Sequence, residues 1–279
     1  MKFVAPKIQQ KRCLATISSK DYWPGTRQMI KSFMHYNPWF TGDILILTED
    51  SLPPTGFQNH TVRFQAPSAE LIEKIESLCQ AIPCYHTIRP RFFVLDLFLP
   101  SSYEEILYID SDILFTAAIE PELLFAHDIS MVPDPWHFRG FRRRRSNLQK
   151  IPSEMAGLDC YPTFFNSGLI CVRYPLFSPE THRGLLQKVD SGFLGQLEDC
   201  LADEPILNSY FEGKINALPL HYNCPVHLIM EGLVEQTPSG LHFTGKNKPW
   251  KWKSWWRLPL RRLAYLNFLM LWITRRTLI

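Results

Sequence analysis

Two carboxylates two residues apart, at the end of an apolar strand, can hold a divalent cation. Ile106 to Ile109 runs into Asp110-Ser111-Asp112. Residues at i and i+2 of an extended chain point to the same side, so the two aspartates converge on one ion if the strand direction persists through Ser111. Far downstream, His242-Phe243-Thr244-Gly245-Lys246-Asn247-Lys248-Pro249-Trp250 offers an imidazole, a glycine and a lysine in one short loop. Hard carboxylate oxygens suit magnesium or manganese, and an imidazole nitrogen shifts the preference toward manganese. An Asp-x-Asp alone is as readily turn or capping chemistry. Together with the histidine loop it reads as a diphosphate site, in which the cation and Lys248 neutralise a departing phosphate and Gly245 lets backbone amides approach it.

The elements that must position these residues follow from pattern. Ile106 to Ile109 lacks polar alternation, as expected of a strand covered on both faces in a largely parallel sheet. Ligands of such sheets gather beyond the carboxyl ends of strands, where the aspartates sit. Arg12 to Ile17 and Asp43 to Thr48 read as further strands, and Pro24 to Tyr36, Ser68 to Gln80 and Pro90 to Phe98 as helices. That alternation predicts an α/β wound sheet, and 279 residues with 46% apolar composition accommodate one large domain.

Four segments in order, Leu107 to Asp112, Phe165-Asn166-Ser167-Gly168, Asp203-Glu204-Pro205-Ile206-Leu207-Asn208 and His242 to Trp250, resemble glycosyltransferase family 8. The resemblance extends from about Cys13 to Trp250. It implies a GT-A type Rossmann-like domain with a mostly parallel sheet, and a retaining, metal-dependent transfer of a hexose from a UDP-sugar to a glycan or lipid-linked acceptor, as in lipopolysaccharide biosynthesis. By position, Asp110, Asp112 and His242 are the implied Mn2+ ligands, with Mg2+ as the other ion. Gly245 and Lys248 hold the diphosphate, and Asp134 and Asn166 the donor-sugar hydroxyls. Asp203 stands near the reacting carbon, and Ser111 is counted with the donor-binding residues. Arg91, with Arg89 as its competitor, is the basic residue ahead of the metal strand.

Glu204 departs from the family pattern, which often carries glutamine there. A carboxylate can act as a nucleophile or stabilise an oxocarbenium-like centre; the alternative is front-face displacement. Asp203-Glu204-Pro205 is also a good helix start, with acidic residues at the positive end of the dipole. Asp21 and Tyr22, after the first strand, are expected base or ribose contacts, although Asp21 equally suits a helix start. Asn166 finds its partner in a sugar hydroxyl or in a neighbouring amide.

Arg139, Arg142, Arg143, Arg144 and Arg145 fall in a stretch without periodicity, readable as a lid, an acceptor cradle or a solvated loop. From Lys246 onward there are nine Lys and Arg and no acidic residue, leaving 21 basic against 27 acidic residues upstream. Residues 1–250 therefore read as the enzyme domain. Residues 251–279, with an apolar stretch from Leu263 to Ile273 too short to span a bilayer, read as a peripheral device for an anionic membrane. No nucleic-acid partner is expected. Seven cysteines without metal-site spacing, and no secretory leader, predict reduced thiols in the cytoplasm, with Cys79 and Cys84 as ordinary helix and loop residues. A haloacid dehalogenase-type phosphohydrolase shares Asp-x-Asp after an apolar strand but has Thr or Val where Leu114 stands. A non-catalytic nucleotide-sugar binder is a third reading.

Overall fold

A computed structural model describes residues 11–53, 57, 60–134, 164–197, 200–230, 234, 237–245 and 248–251. Its centre is a seven-stranded sheet of order β3-β2-β1-β4-β7-β6-β8. The strands are β1 (Arg12–Ile17), β2 (Asp43–Leu47), β3 (Val62–Gln65), β4 (Glu105–Ile109), β6 (Ile129–Pro133), β7 (Phe165–Arg173) and β8 (Asn216–Ala217). β3, β2, β1 and β4 run parallel, whereas β7 lies antiparallel between β4 and β6. A second sheet orders β5 (Ile113–Phe115), β10 (Gly240–His242) and β9 (Cys224–Pro225).

Helix α1 (Trp23–Tyr36) follows β1, and α2 (Ala69–Ala81) follows β3, capped by the Ser68 hydroxyl accepting from the Leu71 N–H. Helices α3 (Pro179–Gln187) and α4 (Asp203–Tyr210) follow β7. All of β4 is buried, and its side chains divide by period two between two cores. Ile106 and Tyr108 pack with α2, α3 and α4, while Leu107 and Ile109 pack with α1 and β5. The unbroken apolar run therefore has its physical cause in two covered faces.

Three expectations are corrected. The strand stops at Ile109, and Asp110 to Asp112 form a turn into β5, closed by the Ile113 N–H on the Asp110 carbonyl at 3.2 Å. The segment Arg89–Phe98 is a 3-10 helix rather than an α-helix. Every residue from Phe92 to Phe98 is buried, so no polar stripe marks the turn period. Third, Cys84 and Cys200 form a disulfide across 116 residues of sequence, with Cα atoms 6.6 Å apart. This contradicts the reading of Cys84 as an ordinary loop residue and of uniformly reduced thiols, and so removes the ground for a reducing compartment. The pairing depends on the 3-10 turn Pro83–Thr87 lying beside the approach to α4, which cysteine spacing does not encode. Cys13, Cys79, Cys171 and Cys224 are free and buried.

The arginine cluster 139–145 and the tail 252–279 lie outside the described residues. Among the described residues, no helix is long and apolar enough to cross a membrane. Alkylation followed by intact mass should gain two labelled thiols on reduction, and Cys84→Ser should lower stability by roughly 2–5 kcal/mol; an unchanged label count contradicts the bridge.

Candidate active site

The second sheet brings the two distant segments together. β10 pairs antiparallel with β5, setting His242 opposite Ile113, and the Phe243 N–H donates to the Asp112 carbonyl at 3.0 Å. The Asp110 N–H donates to the Gly168 carbonyl at 2.8 Å, tying the turn to β7. One donor atom from each of Asp110, Asp112 and His242 then lies within 4.8 Å of the others. The His242 Nε2 is 3.6 Å from Asp110 Oδ2 and 3.3 Å from Asp112 Oδ1. Glycine is required at Gly168, since a Cβ there would stand 2.7 Å from His242 Cε1.

The charges in this corner are arranged around the pair of acids. Burial, then the neighbouring Asp112 charge, pushes the Asp110 carboxyl up to about 6, although His242 and a Tyr108 hydroxyl donating at 2.7 Å oppose the shift. Burial also works against ionisation of Asp112, but His242 and Lys248 outweigh it and hold that carboxyl well below the usual range. The Lys248 ammonium touches Asp112 and donates to the Phe243 carbonyl at 2.7 Å. Two hard carboxylates crowded together with an imidazole nitrogen are a donor set that fits manganese or magnesium, and a dication relieves the repulsion that raises Asp110.

A cleft of about 360 Å³ opens from this corner, a volume typical of small-molecule sites. Its far wall is the first turn of α4 together with the start of β7. Glu204 accepts from Asn166 Nδ2 at 2.6 Å, and Asn166 Oδ1 accepts from the Gly168 N–H at 2.9 Å. Burial, then the charges of Asp203 and Asp134, pushes the Glu204 carboxyl up to about 8, against the pull of Arg91. Asp203 is raised by burial and held down in part by a Ser167 hydrogen bond and Arg91. Arg91 loses solvation by burial, yet four acids (Asp203, Asp110, Glu204 and Asp112) raise its guanidinium above the ordinary value. It is the cation that balances this wall.

Of the residues singled out from sequence, Asp110, Asp112, His242, Asp203, Glu204, Tyr22, Arg91, Ser111, Asp134, Asn166, Gly245 and Lys248 all line the cleft. Asp21 is not among the lining residues; its side chain is 81% exposed and 3.7 Å from Lys251. What it contributes is a backbone carbonyl that accepts from Trp250 Nε1 at 2.9 Å, fixing the Trp250 ring 5.5 Å from Tyr22. The Ser111 hydroxyl bonds to the Ile17 carbonyl and accepts from Thr26 at 2.9 Å, so it secures the turn to β1 and α1. Arg89 pairs with Glu49 at 2.6 Å, which leaves Arg91 as the arginine of the cleft. Gly245 has φ +79°, a conformation that glycine adopts without strain.

Sequence reading missed several contributors. Asn208, quoted only as part of a motif, accepts from the Phe165 N–H at 2.8 Å and donates to the Phe165 carbonyl at 2.9 Å, clamping α4 to β7. Its spacing of one helical turn from Glu204 was the available signal. Asn223, which donates to Asn166 Oδ1 at 2.7 Å, and Thr87, Ile88 and Pro90 in the cleft wall carried none.

The fold is that of a GT-A type enzyme. It is similar to the galactosyltransferase LgtC, solved with donor and acceptor sugar analogues, at a TM-score of 0.62 and 17% identity over 87% of this chain and 90% of that one. It is also similar to the glycosyltransferase GlyE of Streptococcus pneumoniae TIGR4, at 0.55 and 16% over 96% of this chain and 64% of that one. Mouse xyloside xylosyltransferase 1 matches at 0.52 and 14%, over 84% and 97% respectively. No curated protein matches the sequence. The sequence profile of Glycosyl transferase family 8 matches residues 13–254, and the chain belongs to that family of glycosyltransferases. Neither the phosphohydrolase reading nor the non-catalytic binder gains support from the site or from these likenesses.

Because the folded chain keeps the Glu204 proton that the unfolded chain releases near pH 4.5, stability is lost as pH rises from there to about 8. Glu204→Gln removes that loss. Thermal unfolding should show the variant on the order of 5 °C above the parent at pH 9 and level with it near pH 4; an equal difference at both pH values contradicts the buried, protonated carboxyl.

Proposed function

We propose that this glycosyltransferase is a retaining, metal-dependent hexosyltransferase that takes its sugar from a UDP-sugar and delivers it to a glycan or glycolipid. The observation that carries this reading is the convergence of Asp110, Asp112 and His242 beside Lys248 in the corner of the cleft. Asp110, Asp112 and His242 would hold the manganese ion, which would supply positive charge for the leaving diphosphate. The remaining work falls to the chain itself. Lys248, buried beside Asp112, adds its ammonium to the same negative charge, and Gly245 opens the loop backbone to phosphate. Tyr22, whose ring centroid is 5.7 Å from the Lys248 ammonium, lines the cleft beside that corner and contacts the base or ribose. Asp134, Asn166, Asp203 and Glu204 face the space for the transferred sugar, where buried acceptors and amides fix hydroxyl positions.

A largely protonated carboxyl near neutral pH favours hydrogen bonding over nucleophilic attack for Glu204. Front-face transfer, in which the acceptor hydroxyl gives its proton to the departing phosphate, is the mechanism adopted. One of the solved LgtC structures is an active-site variant in which glutamate replaces glutamine. The same amide-to-acid relation separates this chain from the family pattern at Glu204.

Manganese-dependent release of UDP from a panel of UDP-hexoses tests the assignment. The wild-type chain should turn over at least one of them, and Asp112→Asn should cut turnover more than about 10³-fold while still unfolding in one cooperative thermal transition, at a lower Tm because Lys248 loses its buried partner; unaffected turnover contradicts the metal role. Glu204→Gln should keep turnover within about tenfold, whereas a loss beyond about 10⁴-fold would establish an essential nucleophile.

The basic, tryptophan-rich segment after Lys251 supports association with an anionic membrane surface, on its sequence alone. Truncation after Lys251 should abolish cosedimentation with vesicles containing phosphatidylserine and leave UDP release in solution within about threefold; retained vesicle binding contradicts the anchor.

A further inference from the structure

Asn223 sits between the 3-10 turn Leu220–Tyr222 and β9, is 1% exposed, and belongs to no motif read from the sequence. Its Nδ2 donates to Asn166 Oδ1 at 2.7 Å. Its own Oδ1 is buried without a hydrogen-bond partner among the described residues. Burial gives that oxygen no protein hydrogen bond, so stability alone does not account for the residue.

The geometry fixes which way each amide points. The Gly168 backbone N–H can only donate, and it meets Asn166 at 2.9 Å, so the Asn166 atom there is its oxygen. The other end of that amide is then the NH₂ group, and it meets Glu204 Oε1 at 2.6 Å. The Asn223 atom facing Asn166 Oδ1 must likewise be a donor. Two N–H groups, one from the backbone of β7 and one from Asn223, therefore hold Asn166 in the single orientation that offers a hydrogen to Glu204. With Asn223 replaced by an acceptor, the Asn166 amide is driven to turn over, which would set its oxygen against the Glu204 oxygen.

We propose that Asn223 is a positioning residue for sugar transfer, locking the Asn166 amide so that the Glu204 carboxyl is held in one rotamer on the wall facing the transferred sugar. Among the described residues it has no hydrogen bond to Asp110, Asp112 or His242, and it acts on the reaction only through Asn166 and Glu204. This rests on the placement of donor sugar in the cleft proposed above, and the experiment separates the two.

The near-isosteric Asn223→Asp exchanges the donor for an acceptor. With manganese and the UDP-hexose that the wild type turns over, kcat should fall about 10–100-fold while KM for that donor stays within about threefold. A second, activity-independent reading is a thermal-unfolding cycle at pH 9 over wild type, Asn223→Asp, Glu204→Gln and the double variant. A glutamine at position 204 can present either its oxygen or its NH₂ to Asn166, so Asn223→Asp should lower the Tm much less in that background than in the parent. Should Asn223→Asp fail to fold, Asn223→Ser, too short to reach Asn166, is measured in the same way with the same expectations. Equal Tm losses in both backgrounds, or a KM rise that matches the kcat loss, overturn the proposal. If no UDP-hexose is turned over, the donor assignment fails, and the cycle alone decides whether Asn223 orients the Asn166–Glu204 pair.

Discussion

The pairing of β10 with β5 is the constraint on which the rest of the site depends. Asp110 and Asp112 can crowd together only because the turn after β4 is pinned by β7 on one side and by the histidine segment on the other. That segment carries the imidazole and, a few residues on, the lysine, so one short stretch of antiparallel pairing brings both an imidazole and an ammonium to the acid pair. The glycine at Gly168 is the steric condition for it, because any side chain there would occupy the volume of the imidazole.

Charge balance gives the cleft two unlike ends. At the first, a pair of carboxylates is compensated by Lys248 and is arranged to accept a cation. At the second, Asp203, Glu204 and Asp134 are clustered with Arg91 as the compensating charge, and burial leaves Glu204 protonated at neutral pH. In the function proposed above, the diphosphate would meet the first end and the uncharged sugar the second. A protonated glutamic acid and a glutamine each present a donor group and an acceptor oxygen, which is the physical reason that this chain can depart from the family pattern without losing the hydrogen-bond scheme.

Much of this was legible in the sequence where the signal was local. The β4 run has two covered faces and no alternation, and the first helices carry caps or prolines at their starts, so these elements were read within a residue or two of their ends. The convergence of Asp110, Asp112 and His242 was legible because Asp-x-Asp and the histidine loop are each compact. What was not legible depended on contacts between distant segments: the Cys84–Cys200 bond, the clamp from Asn208, and the orienting role of Asn223. Asp21 shows a placement that a polar residue after a strand does not reveal, with its carboxylate exposed near Lys251 and its carbonyl accepting from Trp250.

The central claim is that one cation is held jointly by the turn after β4 and the imidazole of β10. Anomalous diffraction at the manganese edge, from crystals of the full chain grown with manganese and UDP, measures this directly. The account expects a single strong peak at coordination distance from Asp110, Asp112 and His242 Nε2, with the diphosphate against it. A peak bound by the aspartates with the imidazole out of reach, or no peak in the cleft at all, would contradict it.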